Sequence, residues 1–233
     1  MRHKLRSADP ANAGAEGAGV PVKTAVILIS GRGSNLRAIL EARVPCRVAA
    51  VISNRADAEG LAVARAHGIV AIVIEHGNFP SRSAFDSALM EAIDGHRPDL
   101  VVLAGFMRIL TPQFVAHYGG RLINIHPSLL PAYGGLDTHK RALADGIKIH
   151  GCTVHYVTTD LDCGPIIIQA AVPVLKGDTA ETLGARVLLE EHRIFPQAIR
   201  WICSGHVTLG KDGKVSFRRL EQPAPALISP GLD

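Results

Sequence analysis

Short runs of valine, isoleucine and leucine, each followed by a stretch of helical periodicity, constrain the fold of this chain more than any other feature. The runs Ala25–Ile29, Arg47–Ile52, Ile69–Ile74, Leu100–Leu103 and Leu122–Ile125 are largely continuous in apolar residues rather than alternating. That is the pattern of strands buried on both faces. Helices are expected between and after them at Asn35–Ala42, Ala58–His67, Arg82–Asp94 and Pro112–His117. Ser81 is placed to cap the third, where Phe85, Leu89 and Ile93 fall on one face. Thr111-Pro112 pairs an N-cap with a first-turn proline. The alternation specifies an α/β fold: an open, mostly parallel, Rossmann-like twisted sheet with helices on both faces.

Beyond His126 the character changes. A Pro/Gly-rich loop, Pro127–Gly135, leads to an expected helix at Thr138–Ala144 and then two strands, Thr153–Val157 and Ile166–Val174, which give the C-terminal part its antiparallel pairing. Asp178-Thr179-Ala180-Glu181 reads as a capping box for a long helix towards Cys203, kinked at Pro196. His206–Leu209 and Val215–Leu220, around Lys211-Asp212-Gly213, read as a hairpin. A single domain is expected over residues 23–221, with a phosphate-binding half to about residue 120 and a catalytic half after it. Residues 1–22 and 222–233 are expected to be flexible tails.

Of 233 residues, 47% are hydrophobic and 20% charged, which fits a globular domain rather than a disordered chain. Aromatics at 4% are too few for base-stacking platforms. The net charge of +4 is mild, and its basic residues cluster only at Arg2, His3, Lys4 and Arg6. Anionic small molecules are therefore the expected partners, not nucleic acid. No run of 18 apolar residues argues for a membrane span, and the first 22 residues lack the apolar core of a signal peptide. Cys46, Cys152, Cys163 and Cys203 show no C-x-x-C spacing, so reduced thiols in the cytoplasm are expected. Cys163 has no cationic neighbour in sequence to favour a thiolate. No His-x-x-x-His pair occurs on a helix, and no metal is expected.

Two polar constellations interrupt this pattern. In Leu122-Ile123-Asn124-Ile125-His126-Pro127, strand alternation puts Asn124 and His126 on one face and Ile123 and Ile125 on the other. Pro127 removes a ladder donor and ends the strand. An amide and an imidazole at a strand's carboxyl end lie where open α/β sheets place their sites. The amide can donate to a carbonyl oxygen becoming tetrahedral, and the imidazole can carry a proton near neutrality. Asp162, in Leu161-Asp162-Cys163-Gly164-Pro165, offers a carboxylate to orient that ring. Polar capping of the strand end would need the same residues, and spacing alone leaves both readings open.

The first strand runs into Ser30-Gly31-Arg32-Gly33-Ser34-Asn35-Leu36 and then a helix, a turn whose N–H groups suit phosphate. Ser34 and Asn35 can add side-chain donors. Leu36 stands where a dinucleotide fingerprint has its third glycine, and Ser53-Asn54-Arg55 lacks the ribose-gripping acid. A monophosphate fits better than NAD.

These stretches, with Leu103-Ala104-Gly105-Phe106-Met107-Arg108-Ile109-Leu110, Asn124-Ile125-His126-Pro127-Ser128-Leu129-Leu130-Pro131 and Gly151-Cys152-Thr153-Val154-His155-Tyr156-Val157, closely resemble the phosphoribosylglycinamide formyltransferase family, folate-dependent enzymes of purine synthesis. The likeness covers about residues 24 to 220 and implies the formyltransferase fold. It implies a catalytic set of Asn124, His126 and Asp162. The substrate's phosphate would rest on Gly33, Ser34 and Asn35, its ribose on Glu191, and its glycinamide end beside Gly105 and Pro127. The co-substrate 10-formyltetrahydrofolate would lie against Met107, Arg108, Ile109 and Leu110, near Asn124, with Arg82, Thr158, Thr159, Asp160 and Leu161 completing its pocket. His139 and His155 also match family positions. Asp137, Gly134 and Thr159 depart from the common pattern, which bears on the substrate loops. A monomer or homodimer is expected.

Three other readings stay open on sequence. A formyltetrahydrofolate deformylase shares the Asn/His/Asp set but uses water as acceptor, and usually carries an N-terminal domain that 22 residues would not supply. A methionyl-tRNA formyltransferase normally adds a C-terminal domain. A non-catalytic nucleotide-binding module would leave the three side chains without a role.

Overall fold

The computed structural model describes residues 22–218 and Leu227. The expected tails lie outside the described residues, Val22 and Leu227 apart, as does the end of the last expected strand. Seven strands form one sheet in the order β3-β2-β1-β4-β5-β6-β7: β1 (Lys23–Ile29), β2 (Cys46–Ser53), β3 (Val70–Val73), β4 (Leu100–Leu103), β5 (Leu122–His126), β6 (Ile149–Tyr156) and β7 (Ile166–Pro173). The first five are parallel, while β6 and β7 add antiparallel to the β5 edge. β8 (Val207–Leu209) and β9 (Val215–Phe217) make the separate hairpin.

Strand alternation divides two apolar layers. Ala25, Ile27 and Ile29 face one, against α1 (Ser34–Glu41), α2 (Gly60–Ala66), α5 (Thr138–Ala144) and α6 (Ala180–Cys203). Val26 and Leu28 face the other, against α3 (Arg82–Asp94) and α4 (Pro112–His117). Phe85, Leu89 and Ile93 of α3 are fully enclosed there, each burial contributing roughly 1.5–3 kcal/mol. Ser81 and Thr111 cap α3 and α4, accepting from Ala84 and Phe114 N–H.

Three local expectations need correction. α2 starts at Gly60 rather than Ala58, because the Gly60 N–H is bonded to the Gly31 carbonyl and Glu59 serves as the N-cap. β6 starts at Ile149 rather than Thr153, because Ile149–Cys152 find ladder partners in Ala170–Pro173. The capping box of α6 is shifted by one: Thr179 is the N-cap and exchanges hydrogen bonds with Thr182, not Glu181. Asp178 instead binds Leu175 N–H, the Thr182 hydroxyl and Arg186. α6 runs unbroken through Pro196.

Candidate active site

β1 is followed by β2 on one side and flanked by β4 on the other, so the chain changes direction across the sheet between β1 and β4. Loops leaving two such strands diverge and open a crevice at their carboxyl ends. In this protein the two loops are tied together: Ser30 N–H donates to the Gly105 carbonyl at 3.1 Å, and Met107 N–H donates to Ser30 Oγ at 2.8 Å. The Ser30 hydroxyl in turn donates to Asn54 Oδ1 at 2.6 Å. The glycine loop and the segment after β4 are thus one hydrogen-bonded rim.

Gly33 holds the N-cap position of α1 at φ +75°, and no side chain caps the helix. Its first-turn N–H groups are left to meet an anion, supported by the helix dipole. A Cβ on Gly33 would sit 2.5 Å from Gly60 Cα, so glycine is required both by the turn and by the close pass of α2. Ser34 lies beside it, half-buried. The Asn35 side chain is not offered to a ligand as a donor. It is buried and gives its amide N–H to Glu191 Oε2 at 2.7 Å.

Glu191 is no surface charge. It is 7% exposed, on the buried face of α6. Burial raises its pKa above the usual carboxylate range, opposed by the Asn35 hydrogen bond and by nearby His126.

The opposite wall is built on β5. Leu122, Asn124 and His126 point to one face, while Ile123 and Ile125 enter the layer under α6. The antiparallel register sets His155 opposite Asn124 and Thr153 opposite His126. The loop after β6 folds back over this face and carries Asp162 up to the strand end. Gly164 allows that path, since a Cβ there would overlap the Tyr156 carbonyl. Asp162 itself takes a left-handed backbone, φ +53°, a conformation that non-glycine residues adopt at some energetic cost and often at functional sites.

Asn124, His126 and Asp162 are therefore together. His126 Nδ1 lies 3.4 Å from Asp162 Oδ2, and Nε2 lies 2.9 Å from the Tyr133 carbonyl. Both ring nitrogens face oxygen acceptors, so a doubly protonated ring has a partner for each N–H. Asp162 Oδ2 also accepts from Gly135 N–H at 2.8 Å, which fixes the carboxylate against the Pro/Gly loop. His155 joins them: Nε2 is 3.8 Å from Asp162 Oδ1 and 3.4 Å from Asn124 Nδ2. Its Nδ1 faces the Tyr156 carbonyl at 2.9 Å, and burial lowers its basicity. A neutral ring with its proton on Nδ1 accepts from Asn124 through Nε2, leaving the second Asn124 N–H free. His139 and His150 meet edge to face, with Nδ1 and Nε2 3.2 Å apart. Burial lowers the pKa of both, His150 to about 4.

Met107, Ile109 and Leu161 are exposed apolar side chains, and Leu110 is half-buried. Arg108 lies over the Phe85 ring at 5.1 Å, and Thr111 N–H binds Asp86, so the segment after β4 packs on α3 one turn from the exposed Arg82. Gly105 is open, and Pro127 borders His126. Thr158 Oγ1 donates to the Asp160 carbonyl, while Thr159 and Asp160 are exposed. Of the departing positions, Gly134 lies against Asp162 with room for a Cβ at 3.7 Å, and Asp137 holds the N-cap position of α5 without a side-chain cap bond and pairs with Lys140. A cleft of about 390 Å³ at the amino ends of β1 and β4, lined by Lys23, Asp99, Arg121 and Lys211 among others, gathers no comparable set. Among the described residues, no three or more His, Cys, Asp or Glu are grouped to hold a metal ion, and no helix is long and apolar enough to cross a membrane.

An anion cradle facing an amide, an imidazole and a buried carboxylate, on the carboxyl edge of an open sheet, defines an α/β group-transfer domain. Residues 23–199 match the formyl transferase family model, and the chain belongs to the formyl transferase family. It is 52% identical over 191 residues to phosphoribosylglycinamide formyltransferase of Escherichia coli (strain K12), covering 80% of this chain and 90% of that one. It is 48% identical over 195 residues to the trifunctional purine biosynthetic protein adenosine-3 of Bos taurus, covering 82% of this chain but only 19% of that longer protein. The crystal structure of glycinamide ribonucleotide transformylase 1 from Symbiobacterium toebii superposes with a TM-score of 0.81 at 50% identity, over 84% of this chain and 94% of that one. A formyltetrahydrofolate deformylase from Pseudomonas syringae is further off in sequence, at 29% identity and TM-score 0.78, covering 84% of this chain and 66% of that one.

Proposed function

We propose that this chain transfers the formyl group of 10-formyltetrahydrofolate to the amine of 5'-phosphoribosylglycinamide, giving formylglycinamide ribonucleotide and tetrahydrofolate in purine biosynthesis. The observation that carries this reading is the convergence of Asn124, His126 and Asp162 beside a glycine loop suited to one phosphate. The α1 N-terminus at Gly33, Ser34 and Asn35 holds the phosphate, the Glu191 carboxylate takes the ribose hydroxyls, and Gly105 and Pro127 border the glycinamide. The apolar strip of exposed Met107, Ile109 and Leu161 with half-buried Leu110 suits the flat ring system of a folate, with Arg82 and Arg108 placed for its anionic end. Thr158, Thr159 and Asp160 close the same pocket.

The folate supplies the formyl carbon when bound. Attack by the substrate amine turns its carbonyl into an oxyanion. The free Asn124 N–H donates to that oxygen, and a donor in this role typically stabilises the transition state by roughly 2.7–4 kcal/mol. His126, charged, gives a second donor by releasing one of its two oxygen contacts. Asp162, its carboxylate on Nδ1, holds the ring in that orientation. A proton then reaches the departing folate nitrogen directly or through water. We assign no metal, because these two donors meet the developing charge, and we place the reaction in the cytoplasm with the chain acting as a monomer or homodimer.

The test is to incubate the protein with 10-formyltetrahydrofolate, with and without phosphoribosylglycinamide. Folate turnover that requires the amine is expected. Turnover indifferent to it would make the chain a deformylase.

A further inference from the structure

At the amino end of the sheet, far from the carboxyl-end site, two cysteines meet. Cys46 opens β2 and Cys203 closes α6. The register sets Lys23 opposite Cys46, and the Lys23 ammonium donates to the Ile202 carbonyl at 3.1 Å, one residue before Cys203. Arg200 donates to the Ala42 carbonyl at 3.1 Å, just past the end of α1. These two anchors hold the last turn of α6 against the start of β2. Both cysteines are half-buried against the same apolar layer, close enough for each thiol to perturb the other. Neither other cysteine shares this setting: Cys152 is buried, and Cys163 is exposed with its thiol on the Leu161 carbonyl.

We propose that Cys46 and Cys203 form an oxidisable dithiol, a modification site that takes a hydroperoxide as oxidant and closes to a disulfide joining β2 to the end of α6. Cys203 is the attacking sulfur. Its contact with Cys46 and the nearby Lys23 ammonium lower its pKa, whereas contact with Cys203, burial and the Asp99 carboxylate raise that of Cys46. A thiolate is the nucleophilic form, and half-burial leaves an approach for a small oxidant.

The Cys203 thiolate attacks the outer peroxide oxygen, the O–O bond breaks, and the departing alkoxide takes a proton to become an alcohol, or water when the oxidant is hydrogen peroxide. The Cys46 thiol then gives up its proton and attacks the Cys203 sulfenic acid. The S–S bond forms, the S–O bond breaks, and hydroxide leaves to be protonated to water. Two thiols and one hydroperoxide thus give one disulfide, one alcohol and one water, with two electrons passing from the sulfurs to the peroxide. Disulfides of this kind in reducing compartments are transient and reversible rather than structural.

The experiment treats the full chain with a small excess of hydrogen peroxide, blocks remaining thiols with N-ethylmaleimide, and maps non-reduced tryptic peptides by mass spectrometry. The peptide Val44–Arg47 joined to Trp201–Lys211 is expected, reversed by dithiothreitol, with free thiols falling by two from the four in the chain. Cys46→Ser should leave a Cys203 sulfenic acid that dimedone traps, and Cys203→Ser should leave Cys46 as an unoxidised thiol. Recovery of both peptides as separate maleimide adducts would overturn the proposal. So would Cys203 ending as sulfinic acid in the unsubstituted chain, or a cross-link to Cys163 instead.

Discussion

Gly33 shows how much one residue can carry. Its φ of +75° costs any L side chain roughly 1–2 kcal/mol, and a Cβ would press on Gly60 Cα at 2.5 Å. Gly33→Ala is expected to lower unfolding stability by about 2 kcal/mol in urea titrations, and to raise KM for phosphoribosylglycinamide more than for the folate. Equal change in both would mean that the loop does not hold the phosphate. The sequence exposed this glycine as the start of an anion-binding turn, but the reason a side chain cannot replace it is the neighbouring helix, which no local pattern reveals. His155 is the converse. The family likeness marks His155 without a role, and its place between Asn124 and Asp162 follows from the antiparallel register of β6 on β5.

Among the elements, those set by local chemistry were the ones legible in the sequence. α3 and α4 begin where Ser81 and Thr111 cap them, and β4 and α5 also have the expected bounds. The starts of α2, β6 and the α6 box each depend on a partner distant in sequence or on competing local bonds, and local pattern misplaces them. At the α6 start, Asp178 is drawn away by Arg186, whose guanidinium donates to both carboxylate oxygens at 2.8 and 2.9 Å. That pairing holds the Asp178 carboxyl far below the usual carboxylate range. A depressed folded value means its contribution is present above the unfolded carboxylate range near pH 4 and fades as the pH falls below it. Asp178→Ala is expected to cost about 1–3 kcal/mol at neutral pH, measured by thermal or urea unfolding. The difference from the parent chain should shrink in acid. A pH-independent difference would mean the ion pair is not the cause.

On the scale of the molecule, sheet order places every candidate group at one edge. The loops after β1 and β4 and the end of β5 share the carboxyl side, and the β6–β7 loop returns there across the face of the sheet. That return was not legible, because nothing in residues 158–165 alone says which way the loop folds. The same packing buries His139, His150 and His155 in their neutral forms. Each folded value lies below the unfolded value near 6.5, so the unfolded chain takes up protons first as pH falls. Stability should therefore be full above about pH 6.5 and decline below it, towards about pH 4 for His150. Melting temperatures taken between pH 8 and pH 5 check this. His150→Gln should flatten the decline, and an unchanged slope would mean that His150 does not drive it.

The most direct measurement concerns the carboxylate beside the imidazole. Asp162→Asn keeps the shape of the side chain while removing the charge that faces His126 Nδ1 at 3.4 Å. Steady-state kinetics with both substrates should show kcat lower by about a thousandfold or more, with each KM within a few-fold of the parent. Turnover within a factor of a few of the parent enzyme would contradict a reaction in which Asp162 holds His126 in place.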